Sequence, residues 1–376
     1  MDLHEQLAAA EREYRDFAAK HVAPHAARID REETIPESVI DELRAAGLFS
    51  LGFPAADADP VAAQLRHGLL HEALGAASAS VQGLVNVHHM GGGPIARWGT
   101  RAQKEHWIPR LASGEVLAAI AITEPNVGSD AAAVETKATR DGDDWIVSGT
   151  KRWITAGLRA DVFELLAATD GGPTTFILPR NTEGLTFVPI RGAVGCRGYM
   201  LAELHLDRCR LSNDHLLGTP GFGLSHVAAT GLDAGRYNLA WGCVGLARAC
   251  LDATFDYARK RRQFGSALAD FQLVQRMMAR AMTEIEAARL MCWRAGELRG
   301  RRDPAAIKES TMAKYYASTM VNRVAYDALQ IHGANGVGAE LPIERYWRDA
   351  RIMEIIEGST QVLEILIARY GEQERA

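Results

Sequence analysis

The spacing of apolar residues changes twice along this chain, and those changes limit the folds it can adopt. Over residues 1 to about 117 apolar side chains recur at helical spacing, as in EQLAAAEREYRDFAAKHVAPHAARI. From about 118 to 222 the chain consists of short runs rich in β-branched and aromatic residues, separated by Asp-Gly, Gly-Gly and Pro. From 223 to 376 the helical period returns. This order predicts an α+β multidomain protein with a barrel or sandwich at its centre, because strands and helices do not alternate as in a Rossmann fold.

Composition excludes several other classes of protein. The chain of 376 residues is 47% hydrophobic, enough for a large core, and its net charge of -5 makes it a poor binder of nucleic-acid phosphates. No apolar run reaches membrane-spanning length, and the charged N-terminus lacks the apolar core of a secretory signal. The five cysteines show no CxxC spacing, so we expect neither a disulfide framework nor a metal site. A cytoplasmic protein without nucleic-acid or membrane partners is expected.

The C-terminal stretch IMEIIEGSTQVLE contains the strongest candidate for a catalytic group. Glu357 lies between two isoleucines and Gly358, and Ser359 and Thr360 can cap the helix that follows. A carboxylate in such an apolar setting can act as a base with a raised pKa. Taken alone, the stretch fits an acidic residue at a helix N-terminus better, since a carboxylate there complements the helix dipole.

Two further stretches have the character of a ligand-binding loop and wall. AIAITEPNVGSD places Thr123, Gly128 and Ser129 in a polar loop directly after an apolar strand, where backbone N–H groups can meet a polar ring edge or a phosphate. An ordinary turn explains the same residues. In KRWITAG, Trp153 and Thr155 can supply an aromatic wall and a hydroxyl, although a tryptophan in a strand more often belongs to the core.

Two stretches in the C-terminal part contain a basic turn and a glycine-rich turn. RKRRQFG places four basic residues before Gln263 and Phe264, and Arg261 can bind a diphosphate in a forked geometry or simply complement a helix C-terminus. QIHGANGVG lacks a preceding strand and a βαβ unit, so it is not a dinucleotide fingerprint but the end of a helix followed by a turn.

Taken together, ITEPNVGSD, KRWITAG, LDAGR, RRQFG, QIHGANG and IIEGST occur in the order found in the acyl-CoA dehydrogenase family, which the chain resembles over nearly its whole length. The resemblance implies an N-terminal helical domain (1–117), a central β-barrel (118–222) and a C-terminal four-helix bundle (223–376). It also implies non-covalently bound FAD, a homodimer or homotetramer, an acyl thioester substrate on CoA or on an acyl carrier protein, and an electron acceptor protein.

The resemblance assigns roles to residues that match the family's motifs. Glu357 corresponds to the catalytic base, and the alternative position for a base that some members use is Gly235 here. The backbone N–H of the base and a flavin hydroxyl would polarise the thioester carbonyl. The residues implied in FAD binding are Ile122, Thr123, Gly128, Ser129, Trp153, Thr155, Arg261, Gln263, Phe264, Gln330, Gly333, Ser359 and Gln361, with the Arg261 and Gln330 groups acting from a neighbouring subunit. The residues implied at the substrate are Ser129, Asp233, Arg236 and Gly358.

Departures from the family pattern narrow the expected substrate. The segment AADADPVAA lacks the glycines usual near the substrate mouth, Ile120 replaces an aromatic residue, and Glu364 replaces an arginine. GCRGYMLAELHLDRCRL and RIMEIIEGS are similar to a branch that makes hydroxymalonyl or methoxymalonyl extender units for polyketides. We therefore expect a small acyl group, carried on CoA or on an acyl carrier protein. Arg299, Arg301 and Arg302 could meet an acidic carrier, although a solvated basic turn is the favoured interpretation.

Two alternatives remain open from the sequence. A flavin oxidase or oxygenase on the same fold would use O₂ as its electron acceptor. A non-catalytic flavin-binding scaffold would keep the fold without the reaction, which an intact Glu357 and a complete flavin set disfavour.

Overall fold

A computed structural model of the chain describes residues 2–55, 58–373 and 375. Six helices form its N-terminal part: α1 (Leu3–His21), α2 (Ala26–Glu32), α3 (Glu37–Ala45), α4 (Pro60–Ala77), α5 (Ala79–Trp98) and α6 (Arg101–Ala112). Helix α6 begins as its sequence predicts, because Thr100 and Gln103 form a reciprocal capping box. The segment AADADPVAA includes residues 56 and 57, which lie outside the described residues.

The central part contains eight strands: β1 (Ala118–Ala121), β2 (Lys137–Asp141), β3 (Asp144–Ile154), β4 (Val162–Thr169), β5 (Gly172–Pro179), β6 (Leu185–Pro189), β7 (Ala202–Leu211) and β8 (Leu216–Leu217). Strands β2 and β3 form the antiparallel hairpin predicted from Asp141-Gly142, with Gly142 at a φ of 63°. The order is β6-β7-β3-β2-β4-β5-β8, and β1 pairs in parallel with β4.

The predicted closed barrel is wrong, because the described strands form an open sheet with β6 and β8 at its ends. Strand β8 has only two residues, and both pair with β5. It is therefore too short to form a second set of hydrogen bonds with β6 that would close the sheet. Helix α5 packs against β1 instead, close enough that a Cβ on Gly91 would lie 2.7 Å from the Ala119 carbonyl oxygen. The sheet is therefore covered by the helices rather than closed on itself.

After a π-helical turn at Gly223–Ala228 the chain is helical again: α7 (Ala229–Lys260), α8 (Gln272–Gly300), α9 (Ala306–His332), α10 (Ala334–Val337), α11 (Ile343–Met353) and α12 (Thr360–Gln373). A small hairpin of β9 (Arg262–Gln263) and β10 (Ser266–Ala267) separates α7 from α8. Pro304 precedes α9 rather than lying in its first turn, since the helix begins at Ala306.

Glycines let the N-terminal and C-terminal helices share one core. A Cβ on Gly245 of α7 would lie 1.9 Å from the Glu72 carbonyl oxygen on α4, and one on Gly68 would meet the ring of Trp241. The main cluster of buried apolar residues accordingly extends from α1 through the sheet to α11. The helix–sheet–helix architecture is confirmed. None of the helices in the described residues combines the length and apolar character needed to cross a membrane.

Candidate active site

Glu357 lies in the connection between α11 and α12, where the backbone is held from two sides. Its φ is 58°, an uncommon value for a residue other than glycine, and Gly358 follows at 91°. Arg236 Nε of α7 donates to the Glu357 carbonyl oxygen at 3.3 Å. The buried Lys314 Nζ of α9 donates to the Gly358 carbonyl oxygen at 2.7 Å. These bonds hold the strained turn in place.

The carboxyl group of Glu357 has one hydrogen-bond partner and one free oxygen. Asn86 Nδ2 donates to Oε1 at 3.3 Å, while the enclosed Oε2 has no partner among the described residues. Burial raises the pKa of Glu357 to about 7, against the opposing effects of Arg236, Lys314 and Asn86. A carboxyl with this pKa is partly ionised near neutral pH, as a general base requires.

The space for this carboxyl is made by Gly235. A Cβ on Gly235 would lie 2.5 Å from Glu357 Oε2 and 2.6 Å from Met90 Sδ. The two positions that the resemblance associates with a base therefore face the same point, and in this chain only position 357 carries a carboxylate there. The backbone N–H of Glu357 donates to no acceptor in the described part of the chain, so it is free to bind a ligand oxygen.

Asn86 is a site residue that sequence reasoning missed. It lies on α5 in the apolar stretch LVNV, is buried, and accepts from Asn238 Nδ2 at 3.0 Å through its own Oδ1. That bond fixes the amide so that Nδ2 points at Glu357. The signal available in the sequence was a polar residue within an apolar helical run, since buried amides are retained where they have partners.

The predicted loop at Thr123 is anchored by a buried ion pair. Lys151 Nζ of β3 lies 2.7 Å from Glu124 Oε1, and the same carboxylate accepts from the backbone N–H groups of Glu135 and Thr136. Arg152 N donates to the Thr123 carbonyl oxygen at 2.8 Å. The ITEP and KRWITAG segments are thereby brought together, and Gly128 and Ser129 are exposed beside them.

Trp153 is not a core tryptophan. Its side chain is 51% exposed and its φ is 61°, so the strand turns the indole outward. Thr155 follows two residues later and is partly buried, as is Thr123, whereas Ile122 is buried. The indole therefore lies at the surface next to the polar loop, with the Arg152 guanidinium carbon 5.5 Å from the ring centroid.

A second group of predicted residues lies at the other end of α7. Phe264, at the tip of the β9–β10 hairpin, is 98% exposed, and Arg261 and Gln263 are exposed beside it. Tyr257 stacks on His332 at 4.3 Å, which brings the exposed Gln330 and Gly333 to the same end. Because a helix rises 1.5 Å per residue, Arg261 lies roughly 37 Å along α7 from Arg236. One chain therefore does not bring the two groups together.

The remaining predicted residues differ in exposure and in their hydrogen-bond partners. Ser359 Oγ accepts from Val362 N at 3.5 Å and caps α12, and Gln361 is exposed. Asp233 pairs with Arg299, which also donates to Gln64 Oε1. Arg299 is therefore part of the interior and is wrong as a candidate for carrier contact, whereas Arg301 and Arg302 are exposed.

Comparisons with known proteins agree along the whole chain. Residues 4–115, 119–209 and 222–371 match models of the N-terminal, middle and C-terminal domains of acyl-CoA dehydrogenase. The human mitochondrial short-chain specific acyl-CoA dehydrogenase is 35% identical over 360 residues, covering 94% of this chain and 87% of that protein.

Solved structures are similar over the same extent. A glutaryl-coenzyme A dehydrogenase with glutaryl-CoA has a TM-score of 0.92 at 32% identity, covering 98% of this chain and 95% of its own. FkbI, described as acting in biosynthesis of the methoxymalonyl extender unit of the Fk520 polyketide, has 0.85 at 30%, covering 96% and 99%. The prolyl acyl carrier protein oxidase AnaB has 0.91 at 27%, covering 97% and 98%.

Proposed function

Because this chain belongs to the acyl-CoA dehydrogenase family, whose members are FAD-dependent oxidoreductases acting on CH–CH groups, we propose that Glu357 removes the α-proton of a small acyl thioester. The observation that carries the proposal is the enclosed, unpartnered Glu357 Oε2 facing the space left by Gly235. In this role the ionised carboxylate accepts the proton at Oε2, while Asn86 holds Oε1.

The other residues of the site orient the substrate and exclude water. The free backbone N–H of Glu357 can donate to the thioester carbonyl oxygen, which acidifies the α-proton. Trp153, Thr123 and Ser129 would hold the flavin ring, and Arg261, Gln263, Phe264, Gln330 and Gly333 of a second copy would reach its diphosphate and adenosine part. When bound, FAD supplies the acceptor for the hydride that leaves the β-carbon.

The test is anaerobic bleaching of the bound flavin by a panel of acyl-CoA and acyl-carrier thioesters. The wild-type protein should be reduced within the panel, and Glu357→Gln should keep its yellow flavin spectrum but lose reduction by a factor of about 10³ or more, as for removal of a general base. Reduction of Glu357→Gln at the wild-type rate would place the base elsewhere.

A second buried carboxyl group, that of Glu164, favours a substrate whose acyl group carries a polar substituent. Glu164 on β4 is 2% exposed, and neither of its oxygens has a partner among the described residues. Burial raises the pKa of Glu164 well above its usual value, which favours the protonated form, and that form can donate a hydrogen bond. In the parallel pairing of β1 with β4, Glu164 lies opposite Ile120, the position at which the family pattern has an aromatic residue.

Glu164 of β4 and the proposed base Glu357 each lie against a glycine of helix α7. A Cβ on Gly231 would lie 3.4 Å from Glu164 Oε2, and Gly231 precedes Gly235 by one helical turn on α7. Both glycines also approach Met90. We therefore assign Glu164 to the acyl end of the substrate, where it would bind a hydroxyl or carboxyl group. Such a substituent agrees with the similarity to FkbI, and the carrier is proposed to be an acyl carrier protein.

Variants of Glu164 test this substrate class. Glu164→Val should lower kcat/KM for hydroxylated or carboxylated acyl thioesters by about 10- to 100-fold, the effect of one lost buried hydrogen bond, and spare the unsubstituted ones. Glu164→Gln, which can still donate, should lose less. Equal losses of both variants on all substrates would contradict the assignment.

A flavin oxidase is the second candidate. The observation that favours it is the similarity of this chain to AnaB, a prolyl acyl carrier protein oxidase. Rapid reoxidation of the reduced flavin by O₂ would identify an oxidase. Slow reoxidation that an electron-transfer protein accelerates would identify a dehydrogenase.

A further inference from the structure

We infer that His67, His71 and His89 form a binding site for one divalent transition-metal ion inside the helical core, separate from the flavin site. His67 and His71 lie one turn apart on α4, and His89 lies on α5. All three side chains are buried, and one ring nitrogen from each lies within 4.8 Å of the other two. His67 Nε2 is 2.8 Å from His89 Nδ1 and 3.2 Å from His71 Nε2.

The hydrogen on His89 is fixed by the backbone. His89 Nε2 lies 2.9 Å from the carbonyl oxygen of Phe49, which can only accept, so the Nε2 atom carries the hydrogen. All three rings are buried, and an uncompensated buried charge is costly, so the rings are neutral and His89 Nδ1 presents a lone pair to His67.

At the other end of the cluster, Gln82 determines which nitrogen of His71 carries the hydrogen. Gln82 Nε2 lies 3.3 Å from the Asn238 carbonyl oxygen and 3.2 Å from His71 Nδ1, so the amide donates to both. His71 then carries its hydrogen on Nε2 and donates it to His67 Nε2. His67 Nε2 must therefore accept a hydrogen bond from His71 and also donate one to His89. A single neutral ring nitrogen cannot do both.

No assignment of neutral tautomers satisfies every contact in this chain of groups. If His67 Nε2 is bare, two lone pairs face each other at 2.8 Å. If it carries hydrogen, it meets the hydrogen of His71. Turning the Gln82 amide frees His71 Nε2 but removes the bond to Asn238. A buried polar cluster with a mismatched contact is costly, which indicates a missing positive partner.

A metal ion removes the mismatch. With the Gln82 amide turned, its oxygen accepts from His71 Nδ1, and the lone pairs of all three ring nitrogens point to a common centre. Phe49 and Gln82 then act as the outer acceptors that orient metal-bound imidazoles. Turning the amide gives up the bond to the Asn238 carbonyl oxygen here too, so the gain from the ion is the coordination of the three ring nitrogens. Bonds of about 2.0–2.1 Å require ligand nitrogens about 3.4 Å apart, so a pair separated by up to 4.8 Å must approach by about 1.4 Å and the 2.8 Å pair must separate by about 0.6 Å on binding.

The neighbouring His88 shows what a satisfied core histidine looks like in the same helix. Its Nδ1 accepts from Ala118 N at 3.2 Å, and its Nε2 lies 3.1 Å from the Leu111 carbonyl oxygen. One acceptor and one donor match one neutral ring without any conflict. His88 therefore provides the matched control for substitutions in the cluster.

The test is the metal content of the holoprotein produced in medium containing Zn²⁺ and passed over a chelating resin. We expect about one zinc per chain in wild type and in His88→Gln, and less than a tenth of that in His67→Gln and His71→Gln, with Cu and Ni measured in the same samples. Wild-type protein without metal, also after refolding with Zn²⁺, would overturn the proposal, as would full occupancy in the His67 and His71 variants.

A measurement on wild-type protein keeps the proposal testable if those variants do not fold. X-ray absorption at the zinc edge should show a first shell of nitrogen and oxygen at about 2.0–2.1 Å with imidazole outer scattering. A sulfur shell at about 2.3 Å would place the zinc on the buried cysteines instead and refute the histidine site. Removal of the metal should also lower the Tm, since an ion bound only by the native state stabilises it.

Discussion

At the scale of single residues, the carboxyl of Glu357 is poised by opposing influences. Burial raises its pKa to about 7, and the Arg236 guanidinium, the Lys314 ammonium and the Asn86 amide each act in the other direction. Only the ionised form can accept the α-proton, so the rate of flavin reduction should increase with pH, with its midpoint near the pKa of about 7, and level off roughly one pH unit higher. Burial outweighs the three opposing influences, which nevertheless keep the pKa low enough for part of the carboxyl to be ionised at neutral pH.

Removing the hydrogen bond from Asn86 should shift the pH profile of flavin reduction in a defined direction. Asn86→Leu deletes the hydrogen bond that favours the ionised form, so the pKa of Glu357 should increase and the profile should shift to higher pH by about one unit. Stopped-flow flavin reduction between pH 5 and 10 measures the shift. Asn238→Leu should shift it less in the same direction, because it only frees the Asn86 amide. A profile that stays in place while the rate falls would mean that Asn86 has a structural role alone.

At the scale of elements, the loop proposed to bind the flavin is tied to β3 by a buried ion pair and a backbone hydrogen bond. Lys151 and Glu124 are both fully buried, and Lys151 also donates to the Ile122 carbonyl oxygen at 3.0 Å. The pair ties the loop after β1 to the strand that presents Trp153. The position of the ring-binding residues is thus a property of two connected elements.

Breaking that pair should release the cofactor. Lys151→Met leaves the Glu124 charge buried and unpaired, at a cost of about 3–5 kcal/mol. We expect a lower Tm and a reduced ratio of flavin to protein absorbance. Lys137→Met, at an exposed lysine on the adjacent strand β2, serves as the control and should change neither quantity. Full flavin content in Lys151→Met would show that the loop is held by other contacts.

At the scale of the whole molecule, the exposed hairpin indicates an assembly. The Phe264 side chain, between Gln263 and Gly265, is 98% exposed and gains nothing from that exposure in an isolated chain. The 37 Å or so between this hairpin and the Glu357 end of α7 excludes a shared site within one chain. We therefore propose that a homo-oligomer completes each FAD site.

Disrupting the hairpin tip should weaken both assembly and cofactor retention. Phe264→Asp should lower the FAD content and the molar mass measured by light scattering, because it introduces an unpaired charge into the contact. Val188→Asp, on the exposed edge strand β6, is the control with a comparable change in charge. A Phe264→Asp protein of unchanged mass and flavin content would contradict the proposed role of the hairpin.

Local rules in the sequence determined much of the architecture. Helix α6 begins at its Thr100 cap, the Asp141-Gly142 turn joins β2 to β3, and the order of the helical and strand segments follows the two changes of period. These features depend on residues within a few positions of each other, so a single chain segment contains the information. The order of the motifs likewise indicated the family and its cofactor.

Tertiary structure alone decided whether the sheet closes and what surrounds each site residue. The sheet stays open because β8 is too short to pair further, and Arg299 is occupied by Asp233 across two helices. Asn86 meets Glu357, Glu164 meets the empty side of Gly231, and three histidines from α4 and α5 converge. Each of these contacts joins residues far apart in the chain, and their burial, which sets the pKa of the base, exists only after the helices and the sheet have packed together.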